Sequence, residues 1–137
     1  MIALYLDEIK DVLSSYEWIR LVETIRCDFE ENDLKKILLY RFRVHLSDGG
    51  QLEMVERIVE SKKDGSIHST KYSFHWQDQH GNLIKRWDNA PLFPDLDGFP
   101  HHIHIGVGKT VVSGTSINAL EMLAEVDREL SNVVEKA

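Results

Sequence analysis

Cysteine is nearly absent from this 137-residue chain, and so are proline and any long apolar run. The lone Cys27 cannot close an internal disulfide, so nothing in cysteine usage points to an oxidising compartment. No charged segment followed by an apolar stretch opens the chain, and no run is long enough to span a bilayer, so a cytoplasmic protein with no membrane partner is expected. Positive charge is also in deficit. With 16 Lys and Arg against 23 Asp and Glu, the formal charge is −7. Such a molecule repels nucleic-acid phosphates as a whole, although a local basic cluster can still bind them. No repeat, linker or low-complexity segment interrupts the pattern, so one domain spanning 1–137 is expected, long enough to bury a core without a metal or disulfide staple.

What is present is periodicity. Ile2, Leu6, Ile9 and Leu13 recur at helical spacing. From Ser14-Ser15 onward the period becomes two, and Ile19, Leu21, Ile25, Cys27 and Phe29 are expected to share one strand face. Leu38, Tyr40, Phe42, Val44 and Leu46 give the cleanest alternation, with Arg41, Arg43 and His45 opposite. The turns "SDGG", "KKDG" and "QDQHGN" then separate a segment near 52–60, apolar on both faces, from Tyr72, Phe74 and Trp76, and those from a strand at 83–87. A closing helix is expected from about Ser116, capped by Thr115 or Ser116, with Ala119, Leu123, Val126, Leu130 and Val133 on its apolar stripe. The fold class predicted is α+β: an antiparallel meander of about five strands with the N- and C-terminal helices packed on its aromatic face.

If the helices cover that face, the other collects Arg41, Arg43, His45, Lys71 and His75, joined by Arg86 or Lys85 according to register. A solvated strand face is polar in any case. The three prolines all lie in "RWDNAPLFPDLDGFPHHIHIG", residues 86–106, together with three of the seven histidines, His101, His102 and His104. Each proline restrains the residue before it to extended backbone, so the path to the histidines is expected to be stiff. In "HIHI" the alternation sends His102 and His104 to one side and Ile103 and Ile105 to the other. Asn89 is expected to satisfy turn backbone, and Trp76 and Trp87 to lie in the core.

Three readings of the histidines stay open. In a metal-independent ribonuclease an imidazole deprotonates the 2′-hydroxyl and a protonated group returns a proton to the leaving oxygen, with arginines holding the phosphate. In a zinc site His102 and His104 would be joined by His75 and Asp88. As surface groups they would merely cap a loop.

"YSFHWQDQHGNLIKRWDNAP" followed by "FPHHIH" resembles the TumE family, toxin components of type II toxin–antitoxin systems from bacteria and archaea. The resemblance runs through an aromatic strand at 72–76, a D-x-x-G-N turn at 78–82, a basic-aromatic-D-N-A-P segment at 86–91 and F-P-H-H-x-H at 99–104. It implies a growth-inhibiting toxin neutralised by a small antitoxin encoded beside it. Family members often carry two histidines directly after the D-N-A-P proline, where this chain has Leu92 and Phe93, and often a lysine where it has Ile103. By analogy with other compact toxins the expected activity is endoribonucleolytic and free of cofactor or metal; the alternatives are a non-enzymatic protein-binding inhibitor and a metal-dependent hydrolase. His102, His104, His75 and Asp88 are the catalytic candidates. Arg41, Arg43, Lys71, Arg86 and His101 are the candidates for substrate binding, and an acidic or aromatic antitoxin segment would cover the row Arg41, Arg43 and Lys71.

Overall fold

A computed structural model describes residues 1–108 and 110–136, with the side chains of 133–136 outside the description. Its elements run α1 (Ile2–Ser15), β1 (Ile19–Glu31), β2 (Lys35–Leu46), β3 (Gln51–Ser61), β4 (Ile67–Gln77), β5 (Leu83–Asp88), β6 (His102–Ile105), β7 (Thr110–Ser113) and α2 (Ala119–Lys136). The strands form one antiparallel sheet in sequence order, β1 to β7. Seven strands replace the expected five, because "HIHI" pairs with β5 and a short β7 returns beside it. No helix among the described residues is long and apolar enough to cross a membrane.

Both helices lie on the aromatic face. Ile2, Leu6, Ile9 and Leu13 of α1 and Ala119, Met122, Leu123 and Val126 of α2 are buried with Tyr40, Phe42, Phe74 and Trp87. Phe42 and Phe74 each pair with Met54, so they share one face of the sheet. Leu130 packs partly against this core. Val133 falls among the side chains outside the description.

Two expectations change at the termini of the sheet. In β1 the register shifts between Ile19 and Leu21 and again between Thr24 and Arg26. Each irregularity reverses which residues face inward. Val22 therefore pairs with Val44 on the covered face and Leu21 with His45 on the open one, while Cys27 and Phe29 return to the covered face opposite Tyr40 and Leu38. The N-cap of α2 is Asn118, not Thr115 or Ser116. Its Oδ1 accepts the Glu121 N–H at 2.9 Å and Glu121 Oε1 accepts the Asn118 N–H at 3.1 Å, a reciprocal capping box.

The segment that is apolar on both faces is β3, and its pairing explains the pattern. Its buried face carries Leu52, Met54 and Ile58, but also Glu56 and Glu60. Two glutamates on the covered face are what blur the alternation. The carboxylate of Glu60 accepts the Ile2 N–H at 2.7 Å, capping α1, which makes no side-chain cap bond of its own.

Candidate functional site

Parity along β5 decides what the open face displays. Trp87 pairs with Phe74 and points inward, so Lys85 does too, and its Nζ donates to Glu125 and Glu129 of α2 at 3.2 Å each. Arg86 consequently faces out. Cross-strand pairing then lines up Glu23, Arg43, Glu53, His75, Arg86 and His104 in one row over β1 to β6. The adjacent row is Arg41, Val55, Ser73, Asp88 and His102.

The positive charge at the β2 end of these rows is already matched. Arg41 Nε donates to Glu53 Oε1 at 2.7 Å, and Arg43 Nε donates to Glu53 Oε2 at 3.0 Å. His45 contacts Glu23. Lys71 stays exposed on the same face, with Arg57 opposite it on β3. Sequence patterning missed Glu53 because the register of β3 depends on its partners.

At the β5–β6 end the side chains converge. Arg86 Nε donates to Asp88 Oδ2 at 3.1 Å and Arg86 Nη2 reaches His104 Nε2 at 3.1 Å. A guanidinium only donates, so His104 Nε2 accepts and its proton sits on Nδ1. Burial first, then the Arg86 guanidinium, hold the His75 and His104 imidazoles below the ordinary histidine range. His102 is only 2% exposed. Its Nδ1 faces the Pro100 carbonyl at 2.9 Å, and its Nε2 stands 2.7 Å from Asp88 Oδ1 without an aligned hydrogen bond. Asp88 Oδ1 also accepts the Ala90 N–H at 3.1 Å.

The loop of residues 89–101 covers these groups. Phe93 adopts φ 60°, a left-handed conformation uncommon for a bulky residue. Its ring meets those of His102 and His104 edge-on at centroid distances of 5.1 and 6.0 Å. Asn89 does not serve its own turn; its Oδ1 accepts the Tyr72 N–H at 2.9 Å and its Nδ2 donates to Thr70 O at 3.3 Å, tying the loop to β4. Neither Phe93 nor the Pro100 carbonyl is visible as a site element in the sequence. The one signal was position: Phe93 stands where the resemblance leads one to expect histidine.

The structure thus brings together His75, Arg86, Asp88, His102 and His104. It keeps Arg41 and Arg43 on Glu53 and turns His101 away. Burial and the Asp88 carboxylate push the Tyr72 hydroxyl up to about 12, so it keeps its proton, and it shares a hydrogen bond with His101 Nδ1 at 2.8 Å. Tyr72 belongs to the covered face, opposite Glu56.

A neutral imidazole, a guanidinium and a second imidazole in register can move a proton on either side of an anion held between them. Asp88, His102 and His104 also offer ligand atoms within 4.8 Å of one another, close enough for a metal ion. A cavity of about 470 Å³ lies on the helix side, among Tyr5, Glu56, Ser69 and Asn118, and shares no residue with the row.

A family model described as Toxin TumE matches residues 9–130. No curated protein and no solved structure matches the chain.

Proposed function

The chain belongs to the Toxin TumE family, and from that premise we propose that it is the toxin of a toxin–antitoxin pair and inhibits growth by metal-independent cleavage of RNA. The observation that carries this reading is the row His75–Arg86–His104 on three neighbouring strands. Strands lie about 4.8 Å apart, so the two imidazoles flank the guanidinium with backbones about 10 Å from each other. A phosphodiester held by Arg86 would present its 2′-oxygen to one imidazole and its 5′-oxygen to the other, the opposed arrangement that in-line displacement needs.

The roles follow from the contacts. A substrate phosphate takes the Arg86 donors and frees His104 Nε2, which accepts the 2′-hydroxyl proton. The 2′-oxygen bonds to phosphorus, the P–O5′ bond breaks, and His75 returns a proton to O5′ from its protonated form, the minority form near neutral pH because burial and Arg86 hold its imidazole low. The products are a 2′,3′-cyclic phosphate and a 5′-hydroxyl. Asp88 orients Arg86. Of the two histidines that the H-x-H spacing singles out, only His104 is therefore assigned proton transfer. Lys71, free on the same face, would hold a neighbouring phosphate.

The test is cleavage of RNA by purified protein in the presence of chelator, with the ends identified. His75→Gln and His104→Gln are each expected to lower the rate about 10²–10⁴-fold while the unfolding midpoint stays close to the parent's. A toxic double variant that retains full cleavage would refute the assignment.

A further inference from the structure

We propose that Asp88, His102 and His104 form a binding site for one divalent transition-metal ion, Zn²⁺ by its donor set, and that Arg86 competes with the ion for the same lone pairs. The first observation is His102. Its Nδ1 faces the Pro100 carbonyl oxygen at 2.9 Å, and a carbonyl only accepts, so Nδ1 carries the proton. In the neutral imidazole that fixes the tautomer and leaves the Nε2 lone pair aimed into the site, the way a metal-ligating histidine is held by a backbone carbonyl behind it. Nε2 is buried and makes no aligned hydrogen bond. In front of it, at 2.7 Å, is a carboxylate oxygen that also presents lone pairs. Two facing lone-pair donors repel unless a cation lies between them.

The second observation is geometric. His104 Nε2 lies 3.6 Å from Asp88 Oδ2, and the three ligand atoms fall within 4.8 Å of one another. Zinc bonds of about 2.0–2.1 Å place tetrahedral ligands about 3.3 Å apart, so small side-chain adjustments close the set. Phe93 roofs both imidazoles with an apolar edge, and a shell of that kind limits solvent access to a bound ion.

Arg86 supplies the third. Its Nε on Asp88 Oδ2 and its Nη2 on His104 Nε2 use two of the lone pairs that the metal would take. Ion and guanidinium cannot both be seated there. If the ribonuclease reading above holds, on which this last step rests, a bound ion withdraws His104 and displaces Arg86, so Zn²⁺ acts as an inhibitor rather than a cofactor.

Binding is measured with Co²⁺ alone as a visible-absorbing substitute for Zn²⁺, and with Zn²⁺ by calorimetry, on the full chain. The expected result is one ion per chain with the d–d spectrum of a tetrahedral N/O site. His104→Gln and His102→Gln should each weaken binding at least about tenfold, whereas His80→Gln, an exposed turn residue, should leave it unchanged. Arg86→Met should tighten binding, since the competing cation is gone. His104→Gln and Arg86→Met carry the test if the buried His102 variant fails to fold. Binding indifferent to His104, or weakened by Arg86→Met, would overturn the site, as would no binding at all, the result expected if a second proton on His102 already satisfies Asp88. In the cleavage assay Zn²⁺ should lower the rate and chelator restore it, and metal-stimulated cleavage would overturn the competition. If the chain cleaves no RNA, the ribonuclease reading falls and the Co²⁺ and calorimetric results still decide the site.

Discussion

Glu56 shows what a single side chain can carry in this fold. It is fully buried on the covered face of β3, where Tyr5, Tyr40 and Ser69 donate hydroxyl protons to it from α1, β2 and β4. Burial nevertheless raises its carboxyl above the ordinary value of 4.5, because three neutral donors do not replace bulk water around a charge. Glu121 of α2 and His68 of β4 line the same cavity. The sign of the effect on stability follows. Below the ordinary value both folded and unfolded chains are protonated at this position and the charge costs nothing. Above it the unfolded chain ionises first, so folding loses stability until Glu56 is ionised in both states. Glu56→Gln should therefore gain stability relative to the parent as pH rises from about 4.5, checked by urea unfolding of both proteins across that range. A difference independent of pH would show that the carboxyl titrates as it does in the unfolded chain.

At the scale of elements, the loop of residues 89–101 is held by a backbone contact that only glycine allows. Gly98 has φ 81°, and a Cβ built on it would stand 2.2 Å from the Gly114 carbonyl oxygen. His101 N–H donates to Gly98 O at 2.9 Å and Gly114 N–H donates to His101 O at 3.2 Å, so loop, β6 and the end of β7 are stitched at one point. Gly98→Ala should cost more than about 1 kcal/mol, since it adds a backbone clash to the left-handed strain. Because the same loop carries Phe93 and Pro100, the RNA cleavage proposed above should fall with it. Gly65→Ala is the reference: φ is 72° there too, but nothing lies within 4 Å of the added carbon, so only the strain of about 1 kcal/mol is lost. Thermal and urea unfolding of the two variants compare them directly. Equal midpoints would mean that the loop yields without cost.

Across the whole molecule, charge is distributed differently from the row of free arginines that alternation suggests. Glu53 takes up both Arg41 and Arg43 and Asp88 holds Arg86, while Lys71 stays exposed on the open face opposite Arg57 in a protein of net charge −7. Family membership implies an antitoxin, and an acidic antitoxin segment would be steered to that end of the sheet. Co-expression with the adjacent gene should relieve growth arrest and yield a complex. Its association rate should fall with added salt, and more steeply for the parent than for Lys71→Glu, since complementary charge acts mainly on encounter. Association indifferent to both salt and Lys71 would move the antitoxin to another surface.

Local chemistry wrote much of this fold into the chain. The inward residues of α1, the inward stripe of β2, the three glycine turns and the outward direction of His102 and His104 each depend on a few neighbouring residues, so their spacing is enough to read them. Register is not local. Whether Lys85 or Arg86 reaches the open face is decided by Trp87 packing against the helices, and whether Arg41 and Arg43 are free is decided by which residue of β3 lies opposite. The bulges of β1 and the two buried glutamates of β3 broke the alternation that would have given those answers. The path of residues 89–101 was the least legible, because a loop takes its shape from contacts such as Gly98 against Gly114 that join positions remote in sequence. Thus spacing alone determined an antiparallel α+β meander with histidines beside it. Only the folded sheet, by bringing β4, β5 and β6 into one register, set His75, Arg86 and His104 side by side and turned His101 to the other face.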